Sequence, residues 1–403
     1  MQKVPKKTTA QYAFIQFIHN CTLCSTLAFS KTFLQARGFS DSEVGVILAI
    51  AGVLGIIVNP LIASFSDKHS EIPMKSISGV LLLSSAVGAL LLIVLPNLFI
   101  PTAVLTMILY TLSRMQGTFL TSLAMEHVYA GKDLNFSLCR GFGSIGYAVM
   151  AAVMGYGVEL LGSWMIMAVI LIGGVLDAVL IFTFPRPADD RDSVKGRNDN
   201  STEQEAIGLF RFAMNNFRFI LVVFAVILIY ASHQFINTYT INIVESLGCT
   251  SKEMGIGTAI AAVVELPGMA IVPWMRKKFG NSGALLELAA VTFIVKSLMT
   301  AFAPNIYVFY AAQVLQFFGF ATIIPAGVFF VNEHINEANK VKGQSVFDMS
   351  LVISGILFNL LGGLFYEHTD VKTTLLIGTG ISIFGTVLLF IILAGYKNKD
   401  RKA

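Results

Sequence analysis

Residues 79–95 read GVLLLSSAVGALLLIVL, seventeen positions without a charged side chain. Similar apolar runs recur at 142–155, 165–182, 219–231, 285–303 and 373–395. The hydrocarbon core of a bilayer is about 30 Å thick, and about 20 apolar residues of helix cross it. Backbone groups in lipid must be hydrogen-bonded within their own segment, so we interpret these runs as membrane-spanning helices.

Composition agrees with this interpretation, since 55% of the 403 residues are apolar and 13% are charged. Soluble domains have roughly 45–50% apolar and about 25% charged residues. The sequence predicts an all-α membrane protein with twelve spans, numbered 1 to 12, at about 10–34, 43–66, 74–95, 100–122, 137–160, 163–184, 216–240, 255–275, 283–303, 305–330, 346–367 and 373–395.

The basic residues are distributed unevenly between the two sides of the membrane. With the N-terminus placed inside, 20 of the 28 Lys and Arg residues fall in cytoplasmic segments. Four fall outside, namely Lys31, Arg37, Lys252 and Lys372. Cytoplasmic loops of membrane proteins carry an excess of Lys and Arg. We therefore expect a multi-pass protein of a bacterial plasma membrane with both termini in the cytoplasm, and no nucleic-acid partner.

One long polar segment, 185–208, divides the spans six and six. Its charged, Pro, Asn and Ser residues are typical of a flexible linker. The predicted organisation is a first six-helix bundle at 1–184, a cytoplasmic linker at 185–215 and a second six-helix bundle at 216–403.

The two halves share a short motif, GFSDSEVG at 38–45 and GCTSKEMG at 248–255. In each copy a Ser or Thr stands three residues before a Glu, which predicts a capping box at the start of spans 2 and 8 (Ser40 with Glu43, Thr250 with Glu253). Helix capping alone would account for each copy. Recurrence at matching places in both halves favours duplication, which is common in secondary transporters.

Several motifs resemble those of the major facilitator superfamily, and the similarity runs along the whole chain. ASFSDK at 63–68 resembles the G-x-x-x-D-R/K signature of its gating loop, with Ala63 in place of Gly. FSLCRGFGSIGYA at 136–148 and GGLFYE at 362–367 are similar to the lactose-permease and nucleoside–proton symporter branch. The Gly-Pro and Gly-Gly pattern of drug antiporters is absent from span 5, which favours uptake over efflux.

The resemblance implies two pseudo-symmetric six-helix bundles and several residue roles. By this analogy Arg140 binds substrate, Tyr147 stacks on it, and Asp67 and Lys68 belong to the gating loop. Lys296 matches the family's arginine of span 9. His233 matches its acid of span 7. The His and Glu of its span 10 are replaced here by Gln316 and Gly319, so disaccharide specificity does not carry over and a proton path must be rearranged.

Ionisable groups inside spans are costly and are functional candidates whatever the family. Glu265 in span 8 and Lys296 in span 9 lie about 15 Å and about 10 Å from the outer surface at 1.5 Å per residue. Their similar depth predicts an ion pair, which is either a proton or substrate switch or a static interhelical contact, and His233 is a further candidate for proton coupling. Pro267 is expected to break span 8, because proline removes a backbone donor.

Polar residues in other spans are candidate substrate ligands. Besides Arg140 and Tyr147, they are Arg114, Gln116 and Glu126 near span 4, His19 and Asn20 in span 1, and Gln313 and Gln316 on one face of span 10. A buried His bonded to a neighbouring helix would be equally ordinary for His19. Asp177 in span 6 is expected to have a structural role.

The favoured function is a secondary active transporter for a sugar, nucleoside or organic acid, working by alternating access with proton symport. The alternatives are proton-driven efflux of amphiphilic compounds and a transporter-like solute sensor. No nucleotide-binding loop, zinc-ligand spacing or nucleophile elbow occurs in the sequence, so an enzyme is not indicated. We expect a monomer in the lipid bilayer that needs no cofactor besides a proton gradient.

Overall fold

The structure is a computed structural model that describes residues 6–69, 71–129, 134–185 and 209–400. Within these ranges the chain forms α-helices joined by short turns, and it forms no strand. The six helices before the linker are α1 (Lys6–Ala36), α2 (Asp41–Lys68), α3 (Met74–Val94), α4 (Phe99–Tyr129), α5 (Phe136–Leu161) and α6 (Trp164–Phe182).

The helices after the linker include shorter pieces. They are α7 (Leu209–Asn215), α8 (Phe217–Thr238), α9 (Thr240–Ser246), α10 (Ser251–Phe279), α11 (Ser282–Ala301), α12 (Ile306–Val314), α13 (Phe320–His334), α14 (Lys340–His368) and α15 (Val371–Asp400). Two 3₁₀ turns, Leu315–Phe317 and Glu337–Asn339, precede α13 and α14.

Ten helical segments of the described chain, with α12 and α13 taken as one, are long and apolar enough to cross a membrane. The remaining long helices are α1 and α4, with 31 residues each. Both carry polar side chains at positions such as Gln16, His19, Arg114 and Gln116, which lower their hydropathy. These ten segments with α1 and α4 correspond to the twelve spans predicted from the sequence.

Two details of the prediction were wrong. Span 10 is not one helix, because the chain breaks between α12 and α13. Pro267 does not break span 8, since α10 continues through it to Phe279. Lys31, which the sequence places at the outer end of span 1, is buried within α1, and α1 extends to Ala36.

Both predicted capping boxes are confirmed. The Ser40 N–H donates to Glu43 Oε2 at 2.8 Å, and the Glu43 N–H donates to Ser40 Oγ at 3.3 Å. Before α10, the Thr250 N–H donates to Glu253 Oε2 at 2.9 Å. Each box follows a glycine with positive φ, 88° at position 38 and 73° at 248, a conformation that costs glycine little.

The chain divides into two compact units. The first unit contains Met1–Phe39 and Ile50–Glu203, and the second contains Ser40–Ala49 and Gln204–Ala403. Helix α2 is therefore shared, since its first turns belong to the second unit. There Gly45 packs against the backbone of Asn359 and Gly363 in α14. The Asn242 side chain donates to Asp41 Oδ2 at 2.6 Å.

In the first unit, α1 packs against α5, α6 and α4, and α3 packs against α6 and α4. Small residues permit the close approach of the helices, as is usual in membrane bundles. Gly146 of α5 lies against the carbonyl of Phe17, and Gly173 of α6 lies against Thr22. The core of this unit includes Tyr12, Leu120 and Phe184.

In the second unit, α8 lies between α14 and α15, and α11 packs against α15 and α13. A core of aromatic and aliphatic side chains joins α8, α11 and α13, and includes Phe219, Tyr230, Phe293 and Phe330. The polar residues described next lie on these same helices and on α10.

Candidate functional site

Two consecutive hydrogen bonds, one buried and one partly buried, link three predicted site residues of the second unit. Lys296 Nζ donates to Gln316 Oε1 at 2.7 Å. Gln316 Nε2 donates in turn to Glu265 Oε1 at 3.0 Å. Lys296 and Gln316 have 0% and 2% of their surface exposed, and Glu265 is half-buried. We call Glu265, Gln316 and Lys296 the bridge.

The bridge corrects the predicted direct ion pair. Lys296 and Glu265 do not approach within 4.0 Å of each other in the described structure; the amide of Gln316 lies between them. An amide suits this place because its oxygen accepts from the ammonium while its nitrogen donates to the carboxylate. Hydrogen bonds to ionised groups are stronger than neutral ones.

The break between α12 and α13 positions Gln316. Gln316 lies in the 3₁₀ turn Leu315–Phe317, and Gly319 follows with φ −86° and ψ −96°, outside the helical region. The hydroxyl of Thr322 donates to the Phe317 carbonyl at 3.3 Å. This hydrogen bond gives the Phe317 carbonyl, which lies next to the break, a donor. Gly268 of α10 lies against Phe317 and Ala321, so α10 brings Glu265 close to the break.

His233 lies beside the bridge in a cage of rings. Its imidazole stacks on Phe320 with centroids 5.2 Å apart and planes 18° apart. Phe293 and Tyr230 lie 5.2 and 5.4 Å from it. Asn237 Nδ2 lies 3.1 Å from His233 Nε2, while His233 Nδ1 and the Tyr230 hydroxyl have no hydrogen-bond partner within the described residues.

Gln313, predicted to share a face with Gln316, is also buried, with 3% of its surface exposed. Its Nε2 has no hydrogen-bond partner among the described residues. The backbone keeps right-handed helical angles from Val314 through the 3₁₀ turn to Phe318 and leaves them at Gly319, so both glutamines precede the departure from helical geometry.

The candidates of the first unit lie on α1, α4 and α5. Arg140 is exposed in the second turn of α5, and Tyr147 is half-buried two turns later. Arg114 is exposed, with its guanidinium 5.9 Å from the centre of the Tyr110 ring. Glu126 is half-buried near the end of α4.

Gln116 lies on the opposite side of α4 from Arg114. It is 2% exposed, and its Nε2 donates to Ser78 Oγ at 2.5 Å and to the Ser78 carbonyl at 3.3 Å. This amide therefore connects α4 to α3. Within the first unit it is not brought together with Arg114.

His19 and Asn20 lie in the interior of the first unit. His19 Nδ1 is 4.0 Å from Asp177 Oδ2, and both side chains are buried. Asn20 Nδ2 donates to the Gln16 carbonyl at 2.8 Å, and its amide lies against Gly143 of α5. The sequence indicates His19 and Asp177 as separate polar residues, and no signal in it reveals their proximity.

The predicted gating loop begins at the end of α2. Lys68 is the last residue of that helix and is exposed. The side chain of Asp67 lies outside the described residues. In the turn that follows, His69 Nδ1 lies 2.9 Å from Glu71 Oε1.

The described residues contain no group of three or more His, Cys, Asp or Glu side chains placed to hold a metal ion. The second unit holds a buried lysine amine and a partly buried carboxyl group joined by a neutral amide. Such an arrangement can change its charge by taking up one proton.

Residues 10–377 match the model of a family described as MFS_1-like. The chain belongs to the MFS_1-like family. A maltose permease of Geobacillus stearothermophilus is 24% identical over 366 residues, which cover 90% of this chain and 89% of that protein.

Solved structures agree in fold. A mutant of the nucleoside transporter NupG matches with a TM-score of 0.83 at 18% identity, covering 96% of this chain and 99% of that one. The peptide transporter POT in complex with sulfate matches with a TM-score of 0.74 at 12% identity, covering 97% and 94%. The predicted all-α membrane fold of the major facilitator type is confirmed. This MFS_1-like chain is a multi-pass membrane transporter and not an enzyme.

Proposed function

We propose that this MFS_1-like protein imports a small polar solute together with protons, by alternating access across a bacterial plasma membrane. The observation that carries the proposal is the bridge, in which Gln316 joins Lys296 to Glu265. His233 beside it is proposed to take part in the same proton exchange.

The bridge links protonation to conformation through charge balance. With Lys296 charged and Glu265 ionised, the pair is neutral across the amide. A proton on Glu265 cancels the negative charge and leaves Lys296 as an uncompensated cation with no exposed surface. Buried charges without a counter-charge are strongly unfavourable, so protonation favours a rearrangement that hydrates Lys296 or brings it a new partner.

For the solute we propose a sugar or a nucleoside, with organic acids as a further class. Named relatives support this choice, since one is a maltose permease and another a nucleoside transporter. The proposed ligands are the polar residues of both halves: Arg140, Tyr147, Arg114, Gln116, Glu126, His19, Asn20, Gln313 and Gln316.

We further propose that both termini and the linker at 185–215 are cytoplasmic, and that the transporter works as a monomer with six-helix bundles at 1–184 and 216–403. The excess of Lys and Arg in the loops assigned to the inside supports this orientation.

Purified protein in sealed liposomes tests the proposal. Radiolabelled maltose and a labelled nucleoside are offered outside, under an inward proton gradient, an inward sodium gradient or none. We expect accumulation of one of these solutes only with the proton gradient, and its loss on adding a protonophore. Exit of solute driven by the proton gradient would support efflux instead, and binding without flux would support a sensor.

A further inference from the structure

Asp177 of α6 places its carboxyl group in the interior of the first unit. It has no exposed surface, and neither of its carboxyl oxygens has a hydrogen-bond partner among the described residues. His19 Nδ1 on α1, also without a partner, is 4.0 Å from Asp177 Oδ2. Hydrogen bonds from nitrogen to oxygen are typically 2.7–3.2 Å long, so the two groups are adjacent but not bonded.

Loose packing of α1 against α6 does not explain the 4.0 Å separation of His19 Nδ1 and Asp177 Oδ2, because the two helices are in contact one turn away. Gly173 of α6 lies so close to the methyl group of Thr22 that a Cβ at this position would collide with it. Thr22 is itself fixed by a 2.7 Å hydrogen bond from its hydroxyl to the His19 carbonyl. Side-chain rotation, and not closer approach of the helices, therefore decides whether His19 and Asp177 are bonded.

Two further buried polar side chains lie on the same face of α1 as His19. Tyr12, Gln16 and His19 follow the i, i+4, i+7 spacing of one helix face, and all are buried. Gln16 Nε2 donates to the Tyr12 hydroxyl at 2.7 Å, and Tyr12 donates to the Leu120 carbonyl at 2.9 Å. Polar groups inside a membrane protein are costly and mark ion or proton routes.

The other titratable groups facing this region come from four helices. They are Tyr12 and Cys21 on α1, Lys75 on α3, His127 on α4, and Cys139 and Arg140 on α5. Lys75 donates to the carbonyls of Phe182 and Phe184 at the end of α6. Among the described residues, His19 carries the one basic group within 4.0 Å of an Asp177 carboxyl oxygen.

We propose that Asp177 and His19 form a proton-binding site of the first unit, separate from the bridge of the second unit. In the loaded form an oxygen of Asp177 holds the proton as an O–H group and the pair is neutral. Rotation to hydrogen-bond distance lets the proton pass to His19 Nδ1, which breaks the O–H bond and forms an N–H bond. Release to water leaves the carboxylate and a neutral imidazole.

This site deepens the proposed function and rests on it, because a second proton site matters only if transport is proton-coupled. The neutral, loaded form suits the buried state of the structure. Release requires a state of the transporter in which water reaches the pair, so loading and unloading follow the transport cycle.

Infrared difference spectra of the full-length protein in liposomes, recorded across a pH series, test the site without any solute. We expect a carboxylic-acid C=O band that titrates, that is lost in Asp177→Asn and that shifts its titration midpoint in His19→Gln. Asp370→Asn is the control, because Asp370 is exposed and caps α15 through Thr373. Asn is also a good capping residue.

Counting protons per solute completes the test. Asp177→Asn is expected to transport one proton fewer per solute molecule while solute exchange continues. A band that does not titrate, or that persists in Asp177→Asn, would overturn the site, as would an unchanged proton count. If the wild type shows no proton-driven uptake but the band titrates and depends on Asp177, the proposed coupling fails and the proton site stands.

Discussion

Two buried glutamines of this chain have very different partners. Gln316 joins an ammonium group to a carboxylate, whereas Gln116 donates to the hydroxyl and carbonyl of one serine. Both are about 2% exposed. Because the residue type is the same, the two glutamines are expected to differ in their contribution to stability through their hydrogen-bond partners.

Replacing each glutamine by leucine separates these contributions. Gln316→Leu leaves two charged groups without their hydrogen bonds and is expected to lower the free energy of unfolding by about 3 kcal/mol. Gln116→Leu loses neutral partners and is expected to cost about 1 kcal/mol. Thermal unfolding of the two purified variants in the same detergent compares them. Equal losses would show that the bridge is not formed in solution.

At the scale of the helices, α10 packs directly against the break between α12 and α13. Gly268 of α10 faces the break, and a Cβ there would lie 2.9 Å from the Phe317 carbonyl oxygen and 2.6 Å from the Ala321 Cβ. Backbone contacts of this kind cannot be relieved by a side-chain rotation. The geometry of the break, and with it the position of Gln316, depends on this glycine.

Gly268→Ala is therefore expected to displace α13 from α10 and to reduce proton-driven uptake strongly. Overpacking typically costs about 1–3 kcal/mol, so the protein should remain folded with a lowered Tm. Gly55→Ala in α2 is the matched control, because no neighbouring atom of the described residues lies within 4 Å of its added Cβ. Uptake that falls equally in both variants would argue against a specific role of the α10–α13 contact.

Local sequence signals predicted the helices and both capping boxes, because these depend on residues within a few positions of one another. The break after Val314 depends on Gly268, 46 positions earlier, and helical periodicity does not reveal it. The positions of Glu265 and Lys296 along their spans predict that the two residues lie at a similar depth in the membrane. Position along a span does not predict that the Gln316 side chain lies between them. Likewise, the sequence marks His19 and Asp177 only as polar residues in two apolar helices. Their proximity depends on how α1 and α6 are rotated about their axes.

For the whole molecule, the orientation proposed from the basic loops makes a direct prediction. Cysteines introduced by Asn200→Cys and Asp400→Cys should react in intact cells only with reagents that cross the membrane. Native Cys249, partly exposed between α9 and α10, should react with impermeant reagents and serves as the outside control. Cys21, Cys24 and Cys139 are buried and should contribute little background. Labelling of position 200 or 400 by an impermeant reagent would reverse the proposed topology.

The central claim, that Glu265 carries a coupled proton, is tested most directly by Glu265→Gln in liposomes. Glutamine retains the size of the protonated carboxyl group and cannot ionise. We predict that this variant still exchanges labelled for unlabelled solute but no longer accumulates it under an inward proton gradient. Glu253→Gln on the same helix should behave as the wild type, since glutamine also completes a capping box. Accumulation by Glu265→Gln at the wild-type level would contradict the account and leave the bridge as a structural contact.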